Sequence, residues 1–368
     1  MVRESKNMAA FTGAGLSTAA GIPDYRSGAN TVVETGPGCW EKAANIEKAR
    51  KEGKLYQKPT KTKFDVTIQK AFPTRAHMAL KELMDQGILN SIISQNVDGL
   101  HRKSGIPANQ IYELHGNTNL EVCEKCNQDY MRDFRVRDAK KAHDHKTSRM
   151  CDNTGCKGQL HDSIINFGEN LKPEIIQGAT EAGLAADLIL CLGSSLRVQP
   201  ANLIPINSKM AGGRYVIVNL QATPLDGSAD LVIHARIQTV MAKLMEKLEL
   251  PIPQFKLDRW AEVSLQGDNL TVSGIDKNGG PYTLFKAVKA SYVKNAQNQK
   301  IDLTFQGHYN ENTLSLFVPT KMLQEEGKIR VNMICNPYGC SDDRDRLTFG
   351  FWETAQAFLL GKDGAQVD

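Results

Sequence analysis

No apolar run in the 368 residues approaches the ~18 that a membrane-spanning helix needs, so no span is expected. Residues 1–7 show no signal-peptide pattern, and an apolar stretch begins at Met8; a naturally short or trimmed N-terminus is the expectation. Internal repeats are lacking as well. Neither sign of charge dominates, since 45 Lys and Arg stand against 41 Asp and Glu, for a net charge of +4. That balance permits an acidic partner such as chromatin or a phosphate-rich ligand but does not demand one. Two further absences concern chemistry. The first glycine-rich turn lacks the third glycine of the dinucleotide fingerprint, with Thr18 in its place, and no acidic residue stands at the usual ribose position. Both count against a dehydrogenase. What is present is an ordinary globular composition, 41% apolar and 23% charged, in a length that suggests about two domains.

The chain is organised around residues 8–26. An apolar run, Met8 to Phe11, stops at Thr12-Gly13-Ala14-Gly15, as a buried parallel strand stops when it enters a phosphate-holding loop. Gly13 and Gly15 permit a tight turn and close approach to a pyrophosphate. A helix opening near Ser17 and Thr18 would aim its N–H groups and positive dipole end at that anion. Gly21-Ile-Pro-Asp-Tyr25-Arg26 then sets a stiff turn, a carboxylate, a ring and a guanidinium beside the loop. The ring and Arg could cover a nicotinamide half and grip a phosphate; a surface turn with an Asp–Arg pair is the plain alternative.

Further strand ends carry polar groups. The strand around residues 87–94 ends at Gln95-Asn96-Val-Asp98-Gly-Leu-His101, and three polar side chains at a strand's carboxyl end mark a ligand crevice in an open α/β sheet. An Asx-turn would explain Asn96 or Asp98 singly, but not Gln95 as well. His115-Gly116 follows another short apolar stretch, and a histidine there is a candidate general base because its pKa lies near working pH. Ala185–Leu192 reads as a buried strand entering Gly193-Ser194-Ser195, and Tyr215–Leu220 as one ending in Asn219 and Gln221. His77–Met84 and Thr239–Leu248 read as amphipathic helices. Residues 41–54 read as an exposed helix, and Trp40 beside them as a packing anchor.

Four of the eight cysteines form two pairs, Cys123-x2-Cys126 and Cys151-x4-Cys156, with 24 residues between them. Four thiolates in a tetrahedron suit structural Zn²⁺, and in a chain without a secretory signal such clustering favours metal over disulfides. The basic linker also holds His143 and His145, but four thiolates already complete the shell. Cys335 and Cys340 are too few for a metal site. After Leu250-Pro-Ile-Pro253 the pattern changes to short alternating stretches with turns such as Asp276–Gly280, which reads as a small antiparallel β domain, with a short helix expected over Trp352–Leu360. The fold expected is α/β: a doubly wound parallel, Rossmann-like sheet over residues 1–254 with a zinc-binding insertion at about 118–160, then an accessory all-β C-terminal domain over 255–368.

These motifs, in this order, resemble the sirtuins over about residues 8–252, with Phe167-Gly168-Glu169 and Gly193-Ser-Ser-Leu-Arg-Val-Gln-Pro200-Ala201 completing the set. The wide zinc linker, Glu-Leu-His115-Gly-Asn, Ile-Val-Asn219-Leu-Gln and Leu-Glu-Leu-Pro-Ile-Pro253 resemble the class IV, chromatin-linked branch, to one of whose tryptophans Trp40 corresponds. The resemblance implies an NAD⁺ site of Gly13, Ala14, Gly15, Thr18, Tyr25, Arg26, Gln95, Gly193, Ser194, Ser195, Asn219, Leu220, Gln221 and Ile237. It implies His115 as base, Asn96 and Asp98 shaping the nicotinamide pocket, and an extended peptide held by Phe167, Gly168, Glu169 and Val198. Tyr25 stands where Phe is commoner, and Ser27–Trp40 does not align cleanly, so no cofactor contact is assigned there. The implied reaction is NAD⁺-dependent removal of acyl groups from protein lysines. The acyl oxygen attacks C1′ of the nicotinamide ribose, nicotinamide leaves, and His115 takes a proton from a ribose hydroxyl. The products are nicotinamide, free lysine and O-acyl-ADP-ribose. The implied cofactors are NAD and zinc, and the implied partners acyl-lysine proteins, histones among them, in the nucleus or else the cytoplasm, with no membrane. Mono-ADP-ribosyl transfer at the same site, or a non-catalytic NAD-sensing chromatin scaffold, are the alternatives.

Overall fold

The structure, a computed structural model, describes residues 1–28, 31–54, 68, 71–132, 134–141, 143–153 and 155–255, and beyond these the backbone of seven strands between Trp260 and Leu360. In chain order the elements are β1 (Met8–Thr12), α1 (Cys39–Lys51), α2 (Arg75–Asp85), β2 (Leu89–Ser94), α3 (Leu100–Lys103), β3 (Ile111–Glu113), β4 (Leu120–Cys123), β5 (Asp129–Met131), β6 (Lys146–Met150), β7 (Gln159–Asp162), α4 (Pro173–Ala185), β8 (Leu188–Leu192), α5 (Leu203–Met210), β9 (Arg214–Val218), β10 (Leu231–Ile233) and α6 (Ile237–Leu248). The later strands are β11 (Trp260–Gln266), β12 (Asn269–Ile275), β13 (Phe285–Lys294), β14 (Lys300–Phe305), β15 (Thr313–Phe317), β16 (Gly327–Cys335) and β17 (Gln356–Leu360). Among the described residues, no helix is long and apolar enough to cross a membrane.

The chain divides into two compact units. The first comprises residues 1–118, 141–143 and 163–257 and holds a six-stranded sheet, ordered β10-β9-β8-β1-β2-β3, parallel throughout. Its central strands are apolar on both faces because both are covered. Met8, Ala10, Leu188, Leu190, Val216 and Val218 join α2 and α6 in one core. Ala9, Phe11, Ile189, Cys191, Tyr215 and Ile217 join α4 and α5 in the other. Each buried Leu or Ile contributes about 1.5–3 kcal/mol over leaving it exposed. Thr74 caps α2 in a capping box with His77, and Pro173 opens α4, where its missing N–H costs nothing. The chain builds β1-β2-β3 outward on one side and β8-β9-β10 on the other, so the strand order reverses between β1 and β8.

The second unit comprises residues 119–140, 144–162 and 258–368. It contains an antiparallel sheet β5-β4-β7-β6 and two more antiparallel sheets, β11-β12-β15 and β14-β13-β16-β17.

Four expectations need correction. The segment after Gly15 forms two three-residue 3-10 turns, Ala14–Leu16 and Thr18–Ala20, not an α-helix. Gly21, at φ +85°, and then Pro23 end it before a full turn accumulates. The eighth strand starts at Leu188, because Ala185 still closes α4. Gln356–Leu360 is a strand paired with β16 rather than part of a helix, and residues 352–355 lie outside the described residues. Trp40 is 41% exposed, so it is no core anchor. The Asp276–Gly280 turn and Cys340 also lie outside the described residues.

Candidate active site and zinc centre

Where the strand order reverses, the loops after β1 and β8 press together, and only glycine permits it. A Cβ on Gly13 would come 2.7 Å from Ser194 Cα, one on Gly15 2.9 Å from Gly193 Cα, and one on Gly193 2.6 Å from Leu16 N. Gly13 N donates to Leu192 O at 3.0 Å and Gly15 N to Gly193 O at 2.9 Å. These two N–H groups therefore stitch the loops to each other and are spent there. A cleft of about 1030 Å³ opens over this junction. That is the upper end of the usual range for small-molecule sites, room for a dinucleotide and part of a second substrate.

The floor beside it is a buried polar cluster. Ser17 Oγ donates to Asp98 Oδ2 at 2.6 Å, and Leu100 N donates to Asp98 Oδ1 at 2.9 Å. Asn96 Nδ2 donates to Gly13 O at 3.1 Å and lies 3.3 Å from Ser17 Oγ. Burial raises the Asp98 pKa, against the Ser17 and Leu100 bonds that lower it. Asn96 lines the cleft, whereas Asp98 and Ser17 do not, so Asp98 reaches the cleft through Ser17 and then Asn96. Gln95 accepts from Ser194 Oγ at 2.7 Å, joining the ends of β2 and β8.

His115 follows β3. Its Nδ1 lies 2.9 Å from Gln95 O. A carbonyl only accepts, so Nδ1 carries the hydrogen and Nε2 is the basic nitrogen. Burial pulls the His115 pKa below 6.5, partly countered by the Gln95 bond, so the ring is neutral at pH 7. Gly116, at φ +79°, lets the chain turn under Ser163.

Over the glycine loops, Arg26 Nη1 donates to Ser195 Oγ at 3.2 Å, and its guanidinium lies 4.3 Å from the Trp40 ring centroid. Burial and then the neighbouring Arg197 lower the Arg26 pKa. The Arg26 guanidinium lines the cleft, and a planar fork of donors there suits an anion such as a pyrophosphate. Tyr25, Trp40 and Phe167 form a row, with centroids 5.7 and 5.4 Å apart.

Of the residues singled out from sequence, the structure brings Gly13, Ala14, Gly15, Thr18, Tyr25, Arg26, Gln95, Asn96, His115, Phe167, Gly168, Glu169, Gly193, Ser194, Ser195, Val198, Asn219, Leu220, Gln221 and Ile237 into the walls of one cleft. Asp98 alone stands behind the wall. Sequence reasoning assigned no place in the cleft to Asp24, Ser27, Thr31–Glu34, Trp40, Arg236 and Gln238, which also line it. One signal was available for Trp40. In Gly36-Pro37-Gly38-Cys39-Trp40 the second glycine admits a close approach, since a Cβ there would come 2.4 Å from the Tyr25 carbonyl carbon. Trp40 N then donates to Tyr25 O at 3.1 Å, which brings the ring to the cleft.

In the second unit, the Sγ atoms of Cys123, Cys126, Cys151 and Cys156 all lie within 4.8 Å of one another. Cys123 and Cys156 are 3.5 Å apart, Cys126 and Cys151 3.6 Å. A tetrahedron with Zn–S of about 2.3 Å has S···S edges of about 3.8 Å, so the four thiols fit zinc. Gly158 makes room, because a Cβ there would sit 2.5 Å from Cys123 Sγ. Tyr130 Oη lies 3.1 Å from Cys151 Sγ. His143 and His145 pair instead with Glu169 and Asp162.

A model of the Sir2 family matches residues 13–200. The chain is 36% identical over 332 residues to the NAD-dependent protein deacetylase SRT1 of Oryza sativa subsp. indica, covering 88% of this chain and 64% of that protein. It is 39% identical over 270 residues to the NAD-dependent protein deacetylase sirtuin-7 of Homo sapiens, covering 71% and 61%. This chain thus spans less than two thirds of the length of either relative. A solved structure described as Sir2 bound to acetylated peptide aligns with a TM-score of 0.49 and 28% identity, over 68% of this chain and 96% of that one.

Proposed function

The chain belongs to the Sir2 family, and from that premise we propose that it removes acyl groups from lysine side chains of proteins, consuming NAD⁺ and releasing nicotinamide, O-acyl-ADP-ribose and free lysine. The observation that carries this reading is His115: a half-buried neutral imidazole with Nδ1–H committed to Gln95 O, in the wall of the cleft that also holds the two glycine loops and Arg26. When bound, NAD⁺ supplies a ribose C1′ that accepts the acyl oxygen as nicotinamide departs. The protein's own work is positioning and proton transfer. Arg26, with Ser195 and the turn after β1, would hold the pyrophosphate. Asn96, fixed by Gly13 O and Ser17, would shape the nicotinamide end. Asn219, Leu220, Gln221 and Ile237 would take the adenosine half. His115 Nε2 accepts the proton of a hydroxyl presented to it, a role worth about 10²–10⁴ in rate. The acyl-lysine peptide would lie as an added strand between residues 167–169 and Val198, a mode that reads backbone more than sequence.

Zinc would be structural, held by Cys123, Cys126, Cys151 and Cys156, with no open position for chemistry. The class IV-like motifs and the net charge of +4 support a place in the nucleus, with histones among the substrates and chromatin as the associate. Residues beyond 254 would form an accessory domain. The test is mass spectrometry of products from NAD⁺ and a panel of acyl-lysine peptides. Stoichiometric nicotinamide and O-acyl-ADP-ribose are expected. ADP-ribosylated peptide or protein instead would replace deacylation by ADP-ribosyl transfer, and no product from any peptide would leave a binding module.

A further inference from the structure

The turn Asn166–Glu169 forms the cleft wall at Phe167, and one carboxylate holds its shape. Glu169 Oε2 accepts Asn166 N–H at 2.6 Å, Oε1 accepts Asn166 Nδ2 at 2.9 Å, and Glu169 N donates back to Asn166 O at 3.1 Å. Gly168, at φ +89°, makes the tip, and Phe167 stands 66% exposed on it. A further partner comes from far along the chain. His143 Nδ1 lies 2.6 Å from Glu169 Oε1. His143 belongs to the linker between the two cysteine pairs, but residues 141–143 are part of the first unit and leave the second on either side. It holds φ +55°, unusual for a residue with a side chain.

We propose that His143 is a positioning residue that latches the Asn166–Glu169 turn through the Glu169 carboxylate and so sets the affinity for the acyl-lysine peptide; this rests on the deacylase reading above. The geometry gives Glu169 an inward role. Its oxygens hold Asn166 and meet His143, so the carboxylate shapes the peptide-bearing turn. Without His143, Oε1 keeps Asn166 as its partner in the turn but loses its bond to the imidazole, and Phe167 loses part of what fixes its height over the cleft. His143 is 63% exposed and Glu169 19%. Ion pairs this open to solvent are weak, so a change of about three- to fivefold is expected, not abolition.

The test compares the zinc-loaded full chain with His143→Ala and His143→Gln. Hydrogen exchange is followed over residues 163–171, and KM and kcat are measured with an acetyl-lysine peptide and NAD⁺. In His143→Ala, exchange in the segment should quicken by about threefold and peptide KM should rise about three- to fivefold, with kcat and the KM for NAD⁺ unmoved. His143→Gln, which offers an N–H to the same oxygen, should restore both. Unchanged exchange overturns the latch. Faster exchange with an unchanged peptide KM overturns its role in substrate binding. Faster exchange in a protein that turns over no acyl-lysine peptide would leave the latch standing and defeat the deacylase reading instead.

Discussion

Gly116 decides where His115 can stand. Its φ is +79°, and a Cβ would lie 1.9 Å from Ser163 O, a backbone atom that cannot swing aside. Gly116→Ala should therefore cost about 2–4 kcal/mol, combining left-handed strain with forced backbone movement. Urea unfolding measures this directly; a midpoint equal to the parent's would mean the turn relaxes freely. A second residue-scale prediction concerns two histidines outside the cleft. His77 and His101 are buried with rings 4.9 Å apart, His77 Nδ1 accepting Thr74 N–H at 3.2 Å and His101 Nε2 2.9 Å from Thr12 Oγ1. Burial pushes His101 down to about 3, and burial together with His101 pushes His77 down as well. In the unfolded chain both titrate near about 6.5, so they favour folding above that pH. That contribution is lost as pH falls from there toward the folded value. Unfolding midpoints should drop between pH 7 and 4 more steeply in the parent than in His101→Asn, and parallel profiles would sink the idea. At this scale the sequence was most informative where a side chain ends a strand. Gln95, Asn96 and His115 were legible because a polar group after an apolar run has few other reasons to be there. Trp40 was not, because its position depends on a backbone contact between Gly38 and Tyr25 that leaves no periodic trace.

Among elements, the sheet β4–β7 has little apolar core of its own. Its apolar cluster is Cys123, Tyr130, Cys151 and Leu160, with Cys156 against it. Glu121, fully buried, sits between Arg132 Nε at 2.7 Å and Arg149 Nε at 2.7 Å, an arrangement that satisfies charge more than it adds stability. Metal binding must then supply folding energy. Cys126→Ser should lose zinc and the order of this sheet together, read by elemental analysis and by exchange of the Leu120–Met131 amides. A zinc-free protein with native exchange there would show the metal to be dispensable. Elements with clear apolar signals were legible: β1, β8 and β9 from runs of four or five residues, α2 and α6 from their spacing. Short pieces were not. Ala14–Leu16 and Thr18–Ala20 are too brief to show a helical period, and Gln-Ala-Phe-Leu-Leu over 356–360 fits helix or strand equally, so pairing with β16 decides it.

For the whole molecule, the alternation of strands and helices made a doubly wound sheet legible, but not the strand order. That order depends on β8 choosing the side of β1 that β2 leaves open, a packing event between residues 180 apart. The break after Leu250-Pro-Ile-Pro253 supports an accessory domain, and the ring of Phe255 lies 5.6 Å from that of Phe72, so a cut belongs just beyond it. A chain ending at Leu257 should fold, retain zinc and bind NAD⁺, as gel filtration, elemental analysis and calorimetry would report; an aggregate without zinc would mean that the two parts share a core. The central claim is that the cleft at the β1–β8 junction runs on His115 as a base. The direct measurement is the steady-state deacylation rate of His115→Tyr beside the parent, with NAD⁺ affinity and zinc content determined on the same samples. The account predicts intact zinc, retained NAD⁺ binding, and turnover lower by about 10²–10⁴. A folded, zinc-loaded His115→Tyr that deacylates within a few-fold of an active parent would contradict it.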